Sequence, residues 1–292
     1  MIATVKRELL VRHLEAWAPA ALHRARRVTY AHGFADGDPE AAVAALRVLV
    51  EHTDGVRGRE LSMVVVADDS GPVGERLAAV GANGPHVHLV SGGTDARLPV
   101  ALKAVGAARV PLLGYLDAAS ASEPPAPATT AALAGGKPAE MLLVLAPGVA
   151  TERYRADWPL CAEVELATGD EPGEVLLFGT TSGKSLEGFK EALWAVDEFA
   201  GVRYRDPGDP DRHLIDISLN PHPGPLRREL LAHLERVGEA TVTELRTFAL
   251  TETVYRAADA TRVLHTLADS GAVTRRPPDG RLGGDVTIGL PG

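Results

Sequence analysis

The sequence predicts an α/β protein in two parts: an open, doubly wound sheet over residues 1–220 and a small helical unit over 221–292. Three observations carry this. Short apolar runs alternate with helical patterns through the first part, as strands do when crossovers place helices on both faces of a parallel sheet. Several runs end in glycine or acid, the residues that such a sheet gathers at its ligand-binding edge. From about Pro221 the composition changes. His222 onward holds nine Arg, no Lys and nine Asp plus Glu, so that part is neutral and the net charge of −9 lies ahead of it.

The chain starts with an amphipathic helix over 6–17, with Leu10, Leu14 and Trp17 on one face and a stop expected near Pro19. The first strand, 28–32, leads into His32-Gly33-Phe34-Ala35-Asp36-Gly37-Asp38, and Pro39 then opens an Ala-rich helix to about residue 51. In a nucleotide-type site, glycines here let the backbone approach the ligand while free N–H groups face its anionic end. Asp36 and Asp38 set two negative charges against that anion. A second strand over 62–68 is apolar throughout and ends in Asp68, placed where this fold sets a carboxylate against ribose hydroxyls; a solvated acid at a helix start is the plain alternative.

Further strands are expected at 86–90, 110–117 and 141–146, with helices over 71–80, after Arg97 and near 129–134. Gly33, Asp68, Thr94, Asp95 and Asp117 then gather at the carboxyl ends of a Rossmann-like sheet. His86 and His88 share one face of their strand, but spacing names no third ligand, so no metal is expected.

Residues 174–178 form another strand. The following Gly-Thr-Thr-Ser-Gly-Lys-Ser (179–185) imitates a phosphate-binding loop, but its glycines enclose three residues where the motif needs four. It reads instead as the start of a helix over 186–194, suited at most to a small anion. The Pro- and Asp-rich stretch 206–211 is a turn. Cys161 is the single cysteine, which excludes an internal disulfide, and it reads as a buried thiol. With no apolar leader and no run of about 18 apolar residues, the expectation is a cytoplasmic protein without membrane contact.

The C-terminal part shows helices over 226–237, from Thr241 to about Leu250 with a Thr-x-x-Glu capping box, and over 255–268, then strands at 272–274 and 285–288 around an Arg-rich loop. Three helices and a hairpin make a winged helix-turn-helix. In a DNA-binding reading Tyr255, Arg256 and Arg262 lie on the recognition helix, and Arg275, Arg276 and Arg281 on the wing. The same unit serves equally as a protein-docking module, and zero net charge without lysine is a poor phosphate-tracking surface.

Four stretches together, Lys-Arg-Glu-Leu-Leu-Val-Arg-His-Leu-Glu-Ala-Trp (6–17), Tyr-Ala-His-Gly-Phe-Ala (30–35), Gly-Tyr-Leu-Asp (114–117) and Gly-Phe-Lys-Glu-Ala-Leu-Trp-Ala-Val-Asp (188–197), resemble the three-Cys-motif partner proteins. That family looks like a branch of the class I S-adenosylmethionine-dependent methyltransferase fold and pairs with a separate protein carrying a cysteine motif. The resemblance implies S-adenosylmethionine at His32, Gly33, Phe34, Ala35, Gly37, Asp68 and Asp95, with Asp117 as candidate catalytic residue. Two departures stand out. The family's Asp-Gly-Phe-Ala-Gly-Pro-Gly is here His32-Gly33-Phe34-Ala35-Asp36-Gly37-Asp38, and its Leu-Asp-Pro-Phe is Leu116-Asp117-Ala118-Ala119. Both remove pieces that would hold the methionine end of the cofactor or its target, so cofactor binding is expected to be weak or lost. The leading expectation is a divergent, impaired methyltransferase-like protein acting as a partner subunit. A functional methyltransferase and a DNA-binding regulator stand as alternatives.

Overall fold

The computed structural model describes residues 1–53, 58–80, 84–196 and 201–291. In chain order the first part runs α1 (Ile2–Arg24), β1 (Arg27–Gly33), α2 (Pro39–Thr53), β2 (Glu60–Ala67), α3 (Ser70–Ala78), β3 (His86–Ser91), α4 (Thr94–Ala104), β4 (Leu112–Ala118), α5 (Pro127–Leu133) and β5 (Ala139–Leu145). It continues with α6 (Glu152–Arg155), β6 (Leu160–Ala167), β7 (Glu174–Thr180), α7 (Gly183–Ala195), β8 (Arg203–Arg205) and β9 (Leu214–Ile215). The last part comprises α8 (Gly224–Val237), β10 (Glu239–Thr241), α9 (Val242–Glu252), α10 (Ala257–Asp269), β11 (Thr274–Arg276) and β12 (Thr287–Gly289). Asp197, which ends the fourth resembling stretch, lies outside the described residues.

The central sheet has nine strands in the order β3-β2-β1-β4-β5-β7-β6-β8-β9. The first five are parallel, and from β7 onward each pairing is antiparallel. Helices cover both faces, and alternate residues of one strand enter different cores. Tyr30, Met63, Val65, Leu113 and Tyr115 pack with α1, α2 and α7, whereas Ala31, Val64, Val66, Leu112 and Leu116 pack with α4 and α5. Chain order reverses between β1 and β4, the place where such sheets open a ligand crevice at their carboxyl ends.

One expectation changes, one strand is unforeseen, and one expected strand lies at an exposed edge. The first helix does not stop at Pro19 but encloses it and runs to Arg24, because Pro19 is exposed and the alanines around it, with buried Ala21 and Leu22, sustain the helix. The strand β6 had no counterpart in the sequence reading. The strand β3, expected like its neighbours, is an exposed edge with Val87 and Leu89 open to solvent.

The C-terminal elements form a three-stranded sheet, β10-β12-β11, beside α8, α9 and α10. Thr241 and Glu244 make the expected capping box. Leu226, Leu230, Leu245 and Leu264 belong to the same continuous core as α1, α2 and α7. Among the described residues no helix is long and apolar enough to cross a membrane.

Candidate functional site

The switch-point loop is built from the end of β1 and closed by its own hydrogen bonds. Phe34 N–H donates to Thr94 Oγ1 at 2.8 Å, Ala35 N–H to Val66 O at 3.0 Å and Gly37 N–H to Phe34 O at 3.0 Å. Asp68 N–H donates to Asp36 Oδ1 at 3.0 Å. Backbone N–H groups are the donors with which such loops hold an anion, and these four are taken up within the protein. Phe34 takes φ 56°, a left-handed conformation that a bulky residue adopts only when its surroundings hold it, and the Thr94 and Gly37 hydrogen bonds are that hold.

Space is closed as well as charge. A Cβ at Gly33 would lie 2.6 Å from Leu116 Cδ2 and 2.7 Å from Thr94 Cγ2, so side chains already fill the approach that this glycine would leave to a ligand. His32 and Ala35 are core residues. The His32 Nδ1 lies 2.9 Å from the Tyr30 hydroxyl, and its ring stands 5.0 Å from that of Tyr115. Burial lowers its pKa to about 4 against the opposing pull of Asp38, so the imidazole is neutral near pH 7.

The acids that read as obstacles to an anion have partners. Asp38 pairs with Arg7 at 2.9 Å and accepts Ala41 N–H at the start of α2. Asp117, 7% exposed, pairs with Lys6 at 2.7 Å, accepts from the Tyr115 hydroxyl at 3.2 Å and takes Ala119 N–H on its other oxygen. Lys6 also reaches Glu174 at 2.8 Å. Burial alone would lower the Lys6 pKa, but Asp117 and Glu174 outweigh it and raise it. Asp95 spends both oxygens on the start of α5, accepting from Thr129 Oγ1 at 2.6 Å and Ala126 N–H at 3.0 Å. Asp68 is solvent-exposed, and the acid that caps α3 is its neighbour Asp69.

The candidate residues are therefore brought together, as the fold requires, and then engaged with one another. Spacing pointed to the loop, to Thr94 and to the acids but not to Lys6 and Arg7, which neutralise Asp117 and Asp38. The one hint was the adjacent Lys-Arg pair on the first helix. The residues present do not fit S-adenosylmethionine, because its charged end would have to displace Thr94 and Asp36 from N–H groups and the Arg7 and Lys6 cations from their acids.

The C-terminal candidates are also occupied. Tyr255 is fully buried and donates to His222 O at 2.9 Å, and this removes it from any nucleic-acid surface. Arg256 pairs with Asp259 at 2.9 Å and Glu191 at 3.2 Å and donates to Leu219 O, bracing the C-terminal part against α7. Arg262 pairs with Asp259 and Arg276 with Glu239. Arg275 donates to the carbonyls of Pro277, Asp279 and Arg281 and so holds its own loop together, leaving Arg281 as the exposed one of the five arginines whose guanidinium has no hydrogen bond or ion pair among the described residues.

Two other groupings are neutralised internally. Asp209, Asp211 and His213 have metal-ligand spacing, a grouping that the sequence did not single out. Asp209 is already committed to Asp211 N–H, His213 N–H and His213 Nδ1, and the Arg228 guanidinium lies 3.3 Å from that ring, where it opposes a cation. Cys161 is buried and its pKa is pushed up to about 11 by burial, the profile of an inert thiol.

No protein-family model matches the chain, and no curated protein is significantly similar to it.

Proposed function

We propose that the protein is a methyltransferase-like partner subunit that has given up cofactor binding and acts by docking to another protein. The carrying observation is the closed switch-point loop, in which the N–H groups of Phe34, Ala35, Gly37 and Asp68 all donate within the protein. The strand order 3-2-1-4-5 around a switch point, extended by an antiparallel β7, supports the methyltransferase branch that the resemblance implies. The C-terminal succession of helix, strand, two helices and hairpin supports the winged-helix reading. Its role in this proposal is that of a brace, since Tyr255 and Arg256 face the sheet-bearing part. The resemblance supplies the class of the companion, a protein carrying a cysteine motif.

Calorimetric titration tests this directly. Neither S-adenosylmethionine nor S-adenosylhomocysteine is expected to release heat of binding, and micromolar affinity for either would overturn the reading. Affinity capture from native extract supplies the second arm: a stoichiometric companion protein is expected to survive high salt, and its absence would sink the partner role.

A further inference from the structure

The nine-stranded sheet ends on one side at β3, and this edge lacks the devices that keep sheet edges from pairing. Its six residues run in unbroken register with β2, so no bulge turns the edge away. Pro85 precedes the strand and does not interrupt it, and no Asp, Glu, Lys or Arg occurs between Arg76 and Asp95. His86, Val87, His88, Leu89 and Ser91 are exposed, so no described element shields the strand. The direction of its backbone is fixed by the bond at its end, where Gly92 N–H donates to Ala67 O at 2.9 Å. Residues two apart turn their N–H and C=O groups to the same side, so His86, His88 and Val90 face β2. Val87, Leu89 and Ser91 therefore hold theirs outward, without a strand to receive them among the described residues.

We propose that two copies of this chain associate through this edge, β3 pairing antiparallel with β3 of the second copy about a twofold axis at His88. Such an axis keeps every residue on its own sheet face and sets Val87 opposite Leu89 and Leu89 opposite Val87. Both pairs are of the hydrogen-bonded kind, because their polar groups are the outward ones. The same register joins the two exposed apolar side chains of the strand, Val87 at 40% and Leu89 at 38% exposure. An axis at Leu89 would instead set Val87 against the Ser91 hydroxyl. Val87 and Leu89 stand beside Met63 and Val65, on the face where a groove of about 380 Å³ lined by Leu46, Leu77 and Ala78 continues the apolar strip. Charge favours a second copy as the occupant. The chain carries a net charge of −9, and an edge free of charged side chains is where two copies meet without opposing like charges. A foreign strand would be selected by a countercharge, and this edge offers none. The pairing does not depend on the docking role proposed above.

Sedimentation of the full chain from about 1 to 500 µM should show a monomer–dimer equilibrium with a Kd of about 10–100 µM, the weak end expected of a contact built on one strand edge. Leu89→Pro deletes an outward N–H that the β2 ladder does not use, so circular dichroism should show the fold kept while dimerisation weakens at least about tenfold. Cross-linking gives a second readout, clean because the single native cysteine, Cys161, is buried. His88→Cys should oxidise to a covalent dimer, since residues opposed in a non-hydrogen-bonded pair stand about 4.5 Å apart at Cα, within disulfide reach. Val90→Cys should not, because four strand steps of about 3.3 Å separate it from its own copy. A monomer at about 500 µM, dimerisation unchanged in a folded Leu89→Pro, or Val90→Cys cross-linking as readily as His88→Cys would each overturn the proposal.

Discussion

Lys6 sits between Asp117 and Glu174 with almost no access to water, and that placement decides what its loss does. Lys6→Met leaves the Asp117 carboxylate buried without its cation, a change that costs about 3–5 kcal/mol, whereas pairing it with Asp117→Leu should recover most of the loss. Denaturant midpoints of the two variants check this. The pH dependence has a definite sign. The Lys6 pKa is raised in the folded state, so the ion pair contributes fully below the ordinary lysine value of 10.5 and is lost as pH rises through the raised one. Stability of the unmodified protein should therefore fall more steeply in that alkaline range than that of Lys6→Met. Loss of the Asp38 pairing acts on a smaller scale. The Asp36→Gly, Asp38→Gly variant loses the Arg7 pair and the α2 cap, so it should lower stability by about 1–2 kcal/mol and gain no cofactor. From the sequence these acids read as an unbalanced obstacle, because nothing in residue spacing ties the loop after β1 to the first turns of α1.

At the scale of elements, the turn between α9 and α10 is gripped by α7 and by the loop after β8. Lys190 donates to Thr253 O, Trp194 Nε1 donates to Val254 O at 3.0 Å, and Asp206 accepts Val254 N–H at 2.8 Å. Glu229 of α8 joins this enclosed cluster with an oxygen that has no hydrogen-bond partner. Burial raises the Glu229 pKa to about 8, with Asp206 and Asp209 adding to it, and burial lowers the Lys190 pKa to about 8. Glu229 keeps its proton in the folded state, so stability falls from about pH 4.5 to 8; Lys190 gives its proton up early, so stability rises from about 8 to 10.5. A minimum of melting temperature near pH 8 is expected. Glu229→Gln should flatten the acid-side slope and Lys190→Met the alkaline one, and parallel profiles in all three proteins would refute the assignment. Elements that obey one rule were readable in advance: the doubly buried parallel strands as apolar runs, the capped start of α9 as Thr-x-x-Glu. The strand β6 was not. Its Leu-Cys-Ala-Glu-Val-Glu-Leu-Ala is broken by Glu163 and Glu165, whose charges are met only in the fold by Arg155 and by Arg205.

The whole molecule shares one core across its two parts, since Leu226, Leu245 and Leu264 pack in the same cluster as Trp194 and Tyr204. A single calorimetric transition with matching calorimetric and van't Hoff enthalpies is expected; two resolved transitions would show the parts to be independent. With Arg275 and Arg276 turned to their own loop and to Glu239, duplex DNA should bind, if at all, without sequence preference and be released near about 150 mM salt.

The closed loop after β1 also bears on the history open to this chain. Opening a ligand site in this loop one substitution at a time strands a partner at each step. Losing Asp38 abandons Arg7, losing the Thr94 hydroxyl orphans the Phe34 N–H, and losing Asp36 frees the Asp68 N–H. Where the orphaned group is withdrawn from water, as at the part-buried Phe34 N–H, the loss costs about 1–3 kcal/mol before any ligand can compensate, so single substitutions there are disfavoured. Under the function proposed above, the closure works as a ratchet: with the donors of the loop turned inward, no single substitution reopens it without stranding a partner.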